Sequence, residues 1–215
     1  MTLTELRTAV RAYLGVQDTD RAYTNTRLTR WINDALNELR GDAPIGYFQQ
    51  RTTWTADGGA GRVYTMATQS PAVTALQSVV EVRVGSTTGS KLREVPYEQL
   101  GAWGGLTFAL TGADEAAVLT TGDDVATGAT LYVVYEAWPA ELSADADTPS
   151  WLPQRYHDVP ALMATEVAFA SGDEGQMPGA LRSKLTDRRA ELLSHLRRRT
   201  ADAMLSREVE GAVSL

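Results

Sequence analysis

His157 and His195 are the two histidines of this sequence and the side chains best suited to proton transfer near neutral pH. Neither has a serine placed in a strand–turn–helix nucleophile context. Their separation also excludes the His-x-x-x-His pair that holds zinc on one helix face. His157, beside Asp158, reads as part of a helix cap or an intersubunit contact, and His195 lies beside a face formed by Leu192 and Leu196. With no cysteine in the chain, thiolate catalysis, disulfides and Cys-based zinc or iron–sulfur sites drop out together.

Three further stretches invite a chemical reading. Gly85-Ser86-Thr87-Thr88-Gly89-Ser90-Lys91 has the composition of a phosphate loop, but that motif needs four residues between its glycines and a lysine directly after the second. Both spacings fail and a strand follows, so the stretch reads as a hairpin turn. Asp145-Ala146-Asp147 lacks the Asp/Asn, Gly and Glu ladder of a calcium loop and reads as solvated linker. Among 27 acidic residues neighbouring carboxylates arise by chance, so a carboxylate enzyme would also need a deep pocket of convergent acids that the sequence does not announce. No catalytic, cofactor-binding or metal-binding residue is assigned, and no enzyme activity is expected. Arg197-Arg198-Arg199 is the remaining cluster; it suits acidic groups on another protein first and DNA phosphates second, because aromatics that would stack bases are missing from the segment.

The net charge of −7 opposes a general nucleic-acid coat, which needs clustered Lys and Arg against the phosphates. No apolar run reaches the ~20 residues of a membrane helix, and MTLTELRTAV has neither a basic n-region nor an apolar h-region, so a soluble protein without a signal peptide is expected.

The positioning elements come in the order helices, strands, helices. A first helix is expected over Leu3–Leu14, opened by the capping-box pair Thr2 and Glu5 and stopped at Gly15. A second runs from about Thr26 to Arg40, capped by Thr24 or Asn25 and stopped by a left-handed Gly41. Its Leu28, Trp31, Ile32, Ala35, Leu36 and Leu39 form the clearest apolar stripe in the chain. From Phe48 the period becomes two. Strands are expected at Gln50–Thr55, Arg62–Met66 (its hairpin partner across Asp57–Gly61), Val80–Val84, Lys91–Val95, Leu106–Leu110, Ala117–Thr121 and Thr130–Tyr135, with Gly101–Gly105 a loop. In Val80–Val84 the valines should face one way and the charges the other. Six or seven such strands make a small sandwich or partly open barrel.

After a Pro-bearing acidic linker, Trp151-Leu152-Pro153 should turn and pack its Trp onto the helices. A third helix should start with Asp158 as N-cap and Pro160 in its first turn, with Leu162, Met163, Val167 and Ala170 facing the core. Beyond a turn at Gly172–Gly175, a fourth helix with Pro178 in its first turn should reach about Arg199, lining one face with Leu181, Leu185, Leu192 and Leu196 and placing the three arginines in its last turn. The C-terminal tail has too few apolar residues for a core of its own and is expected to be mobile unless a neighbouring subunit holds it.

This layout resembles the head-to-tail connector adaptor proteins of tailed bacteriophages. The stretches that carry the resemblance are TRLTRWINDALNELR, VVEVRVGSTTGSKLREVPYEQL, the strand and linker TLYVVYEAWPAELSADADTPSWLPQRYHDVPALMATEVAFASGD, and the long charged final helix. It implies an α+β fold in which a four-helix bundle, two N-terminal and two C-terminal helices, carries an inserted small antiparallel β domain. The corresponding divisions are residues 1–46 with 150–199 for the bundle, 47–139 for the β domain, 140–149 for the linker and 200–215 for a docking tail. It further implies a virion protein at the head–tail interface, assembled from the host cytoplasm into a homo-oligomeric, dodecameric ring under the portal. DNA would pass through the ring without sequence-specific binding during genome packaging, and a tail, stopper or nozzle protein would dock below. Portal docking, carried onto this chain, falls on Arg197, Arg198, Arg199, Met204, Leu205, Val209, Val213 and Leu215. A reading from another class is a nucleic-acid-binding module that uses the basic fourth helix.

Overall fold

The computed structural model describes residues 1–18, 20–56, 62–73, 75–100, 105–112, 116–122, 124–171 and 176–212, with the backbone alone from 202 to 212. The fold is α+β, and the chain divides into two compact units, Met1–Tyr47 with Glu141–Glu210 and Phe48–Ala140.

The helical unit holds α1 (Leu3–Leu14), α2 (Asn25–Asp42), α3 (Asp158–Ser171) and α4 (Gly179–Ala212). The Thr2–Glu5 capping box forms, and Gly15 closes α1 in the left-handed conformation at φ 72°. Thr24 caps α2. The α2 stripe is buried throughout, from Leu28 to Leu39, in one core with Leu3, Leu6 and Val10 of α1, Leu162 and Ala164 of α3, and Leu185, Leu192 and Leu196 of α4. Each fully buried aliphatic side chain of this kind contributes about 1.5–3 kcal/mol.

Several helix details depart from the sequence expectation. Gly41 is helical rather than a left-handed stop; α2 ends at Ala43, whose ψ of 146° is the extended geometry imposed by the adjoining Pro44. Asp158 is the first residue of α3 instead of its cap, with its carboxylate on Arg188. Leu162 and Met163 face the core, but Val167 and Ala170 are exposed. The first two turns of α3 lie against both α1 and α2, so Val159 through Thr165 are buried nearly all round, and only the last turns emerge. Pro178 precedes α4, offering its carbonyl to the N–H groups of Leu181 and Arg182. That helix continues to Ala212 instead of ending near Arg199, so the three arginines are not in its last turn. The turn expected at Gly172–Gly175 lies outside the described residues.

The acidic segment after the β unit is an ordered strap. Its carbonyls at Asp147 and Asp145 accept the N–H groups of Leu3 (2.8 Å) and Thr4 (3.2 Å), donors that the first turn of α1 would otherwise leave unpaired. Arg7 of α1 pairs with the Asp145 carboxylate. Asn33, on α2, holds the strap's entry: its Nδ2 donates to the Leu142 carbonyl and its Oδ1 accepts the Leu142 N–H, both at 3.0 Å and both buried. Asn33→Leu should therefore leave two buried backbone groups unpaired and cost about 2–3 kcal/mol. A denaturant midpoint unmoved by that substitution would show that water replaces the amide.

The β unit is larger than a small inserted domain. Its strands are β1 (Gln49–Thr55), β2 (Arg62–Thr65), β3 (Leu76–Val84), β4 (Ser90–Lys91), β5 (Arg93–Glu94), β6 (Thr107–Thr111), β7 (Val118–Thr121) and β8 (Thr130–Ala137). They form two four-stranded sheets, β1-β8-β3-β4 and β2-β7-β6-β5. All described pairs are antiparallel except β5 with β6, so the unit is not wholly antiparallel.

The hairpin expected between β1 and β2 does not form: β1 pairs with β8 and β2 with β7. Each turns one aromatic side chain inward, Trp54 or Tyr64, and alternation alone cannot distinguish strands lying side by side from strands facing each other across a core. Here they face, with Trp54 stacked on Tyr64 at 6.2 Å between ring centroids and 12° between planes. The turn expected at Asp57–Gly61 and the loop at 101–104 lie outside the described residues.

The expected hairpin after Val84 forms only in part. Ser90 and Lys91 pair back onto β3, after which the strand changes sheets at Leu92: its N–H donates to Val82, while that of Arg93 donates to Leu106 in the other sheet. In β3 the valine alternation breaks at Val80. Val79 opposes Tyr135 and Glu81 opposes Val134, so Val80 is the extra residue of a bulge and is 43% exposed, whereas Val82 is fully buried.

Candidate docking site

The two imidazoles have different partners. His157 sits in a short 3-10 turn before α3, and burial holds it at 5% exposure. Its Nε2 donates to the Leu152 carbonyl at 2.9 Å, and its Nδ1 accepts from the Met1 ammonium at 2.5 Å. Both nitrogens are thus used within the chain, and the residue closes the 3-10 turn Gln154–Tyr156 as its C-cap.

Burial first, and the neighbouring Met1 ammonium among the further causes, push the His157 imidazole below its ordinary value; the Leu152 carbonyl and the Asp158 charge act the other way and are outweighed. The unfolded chain consequently binds a proton at His157 more tightly than the folded chain does. Stability from this group is complete above about pH 6.5 and falls as the pH drops below it. The difference in denaturant midpoint between pH 7.5 and 5.5 should shrink in His157→Gln; an identical pH difference in the two proteins would refute the assignment.

Two other stretches have structural explanations. The loop between β3 and β4 is the hairpin turn that its spacing indicated. Gly89 is required there because a Cβ would lie 2.0 Å from the Val84 carbonyl oxygen. Lys91 reaches Glu81 at 3.5 Å, with Arg83 on the same carboxylate. Burial works against ionisation of Glu81, but the Arg83 hydrogen bond and the two cations prevail and hold it below the ordinary carboxylate value. Asp147 accepts the N–H groups of Ser143 and Ala144 at 2.7 Å each, which lowers its pKa and folds the strap into a tight turn. Among the described residues no cluster of three or more His, Cys, Asp or Glu side chains is placed to hold a metal ion, and no helix is long and apolar enough to cross a membrane.

The remaining chemistry is on α4. Leu185, Leu192, Leu196 and Thr200 turn inward, whereas Arg197, Arg198 and Arg199 are exposed. Of the other docking positions named from sequence, Met204, Leu205 and Val209 lie on the helical backbone of α4 with side chains outside the described residues; Val213 and Leu215 lie outside them altogether.

Around the arginines the structure adds side chains that sequence reasoning passed over. Tyr156 is 1% exposed, with the guanidinium carbons of Arg155 and Arg188 at 4.8 and 5.1 Å from its ring centre and the His195 ring at 5.6 Å. Arg155 Nη2 donates to His195 Nδ1 at 2.7 Å, which places the imidazole proton on Nε2. Desolvation, then the charges of Arg155, Arg199 and Arg198, lowers the His195 pKa. Tyr156 stands between Arg155 and His157, and that juxtaposition of an aromatic with basic residues was the one signal in the sequence.

Comparison with known proteins gives the chain its relatives. No curated protein matches it. A family model described as SU10 adaptor protein matches residues 1–209, taking in both units and almost the whole sequence. The chain belongs to the SU10 adaptor protein family.

Proposed function

We propose that this protein is a head-to-tail adaptor of a tailed bacteriophage, a structural virion component without catalytic activity that assembles as a ring under the portal. The match over residues 1–209 is the observation that carries this reading. In it the helical unit is a four-helix bundle, the β unit is inserted between its helix pairs, and 200–215 is a docking tail. Twelve copies extend the DNA channel, and the exposed lower surface receives a tail, stopper or nozzle protein. A heterologous contact repeated about an axis closes such a ring without leaving a sticky end. A net charge of −7 suits a conduit wall that must release DNA instead of holding its phosphates.

Portal docking is assigned to Arg197, Arg198, Arg199, Met204, Leu205, Val209, Val213 and Leu215, which occupy the C-terminal part of α4 and the last residues of the chain. Electron micrographs of the purified protein, alone and mixed with its portal, test the assignment. Rings stacked coaxially on portals are expected, and their loss on truncation after Thr200. Tight DNA binding with a steep salt dependence and no portal association would instead make the basic helix a nucleic-acid-binding element.

A further inference from the structure

Five arginines of α4 and of the turn before α3 differ in what their guanidinium groups hold. Arg188 takes Asp158 with two parallel bonds, Nε at 3.1 Å and Nη2 at 2.9 Å, and adds Glu191 at 2.9 Å. Arg189 takes Glu38 at 2.8 Å and Asp42. Arg155, Arg198 and Arg199 are different. Their partners are the neutral Nδ1 of His195 (2.7 Å), the Ser194 hydroxyl (3.1 Å) and the Tyr47 hydroxyl (3.5 Å), and none of the three has an ion-pair carboxylate among the described residues. All three are exposed, and all three act electrostatically on one imidazole, that of His195. In a chain with seven more acids than Lys and Arg combined, this is a local concentration of uncompensated positive charge.

We propose that Arg155, Arg198 and Arg199, gathered around His195, form a docking surface for a carboxylate-rich segment of another protein. Neutral acceptors hold a guanidinium less strongly than carboxylates do, so an incoming Asp or Glu replaces a weak hydrogen bond with a charge-assisted and bidentate one, the geometry that Arg188 already shows with Asp158. A short acidic segment fits the extent of the patch. Duplex DNA is the less favoured occupant, since its phosphates recur every ~1.7 Å and the chain as a whole carries a net charge of −7. The proposal shares Arg198 and Arg199 with the docking segment assigned above and names the chemistry they receive. Micrographs test the ring and peptide binding tests this surface, so either can fail without the other.

His195 reports the event without any substitution. The groups around it are Arg155 and Tyr156 from the turn before α3, Arg198 and Arg199 one turn on along its own helix, and Glu191 one turn before, whose carboxylate is held by Arg188. A carboxylate seated among them offsets the cations that now disfavour its protonation. In the full-length protein, a short polyglutamate peptide should shift the His195 imidazole resonances saturably and move their titration to higher pH, with affinity falling as salt is added. Replacing Arg155, Arg198 and Arg199 together by Gln should weaken binding about tenfold or more, whereas Arg182→Gln, on an exposed α4 position outside the patch, should leave it nearly unchanged. An unshifted His195 at saturating peptide, or equal weakening by Arg182→Gln, overturns the proposal. Tighter binding of a short DNA duplex than of the peptide also overturns it, in favour of a phosphate-binding surface.

Discussion

Trp31→Ala should lower the stability of the helical unit by about 3–5 kcal/mol. Trp31 is 7% exposed in the centre of the α2 stripe, tilted against Tyr23 with 6.3 Å between ring centroids. Arg27 lies over the indole at 4.6 Å, a cation–π contact that adds on the order of 0.5–1 kcal/mol. The loss therefore combines lost burial, a cavity between α2 and its neighbours, and a stranded guanidinium. Trp31→Phe, which refills most of the space, should recover more than half of it. Because the chain holds two compact units with separate cores, amide hydrogen exchange resolved by unit is the appropriate measurement. Unchanged protection along α2 would mean that the stripe is not the anchor of that core.

Trp54→Ala should destabilise the β unit by a similar amount, about 3–5 kcal/mol. Trp54 belongs to one sheet and Tyr64 to the other, so the stacked pair fastens the two sheets at the middle of their common core. The indole Nε1 also donates to the Pro71 carbonyl at 3.0 Å. Trp54→Phe keeps the stack and loses the hydrogen bond, and should cost only about 1 kcal/mol beyond the volume change. Exchange protection in β1 and β2 should fall together in the alanine variant, since removing the pair releases both sheets at once. A loss confined to β1 would show that the sheets are fastened elsewhere.

The helices were legible because each apolar stripe repeats at helical spacing and each start has a local cap. The Thr2–Glu5 box and the buried positions of α2 arise from residues within a few places of one another. The error at Gly41 has a local cause too, since the conformational limit that Pro44 sets on Ala43 decided the end of α2, while glycine tolerates a helix at modest cost. At α3 the failure is of another kind. A helix wrapped by α1 and α2 has no single buried stripe, so no periodicity could show that Val167 emerges while Ala164 and Ala168 are enclosed.

The β unit shows where local pattern stops being informative. Alternation identified most strands and their inner faces, but strand pairing depends on partners distant in sequence, as with β1 and β8, whose Gln49 and Glu136 are opposed. The same holds for the candidate docking surface. Arg198 and Arg199 were visible as a basic run, whereas the contributions of Arg155, Tyr156 and His195 arise only when the turn before α3 is laid against α4. The strap from Leu142 to Asp147 looked like solvated linker because its partners, Asn33, Arg7 and the open N-terminus of α1, lie more than a hundred residues away.

By itself, then, the order of residues determined the number and character of the four helices, the change of period that marks the β region, the lack of cysteine chemistry and the adaptor resemblance. Tertiary structure alone decided which strands pair, which polar side chains clamp the strap, and which arginines are neutralised. The physical reason is range: caps and periodicity act over one or two turns of chain, whereas pairing, burial and charge compensation act between groups that only the folded chain brings within a few ångströms.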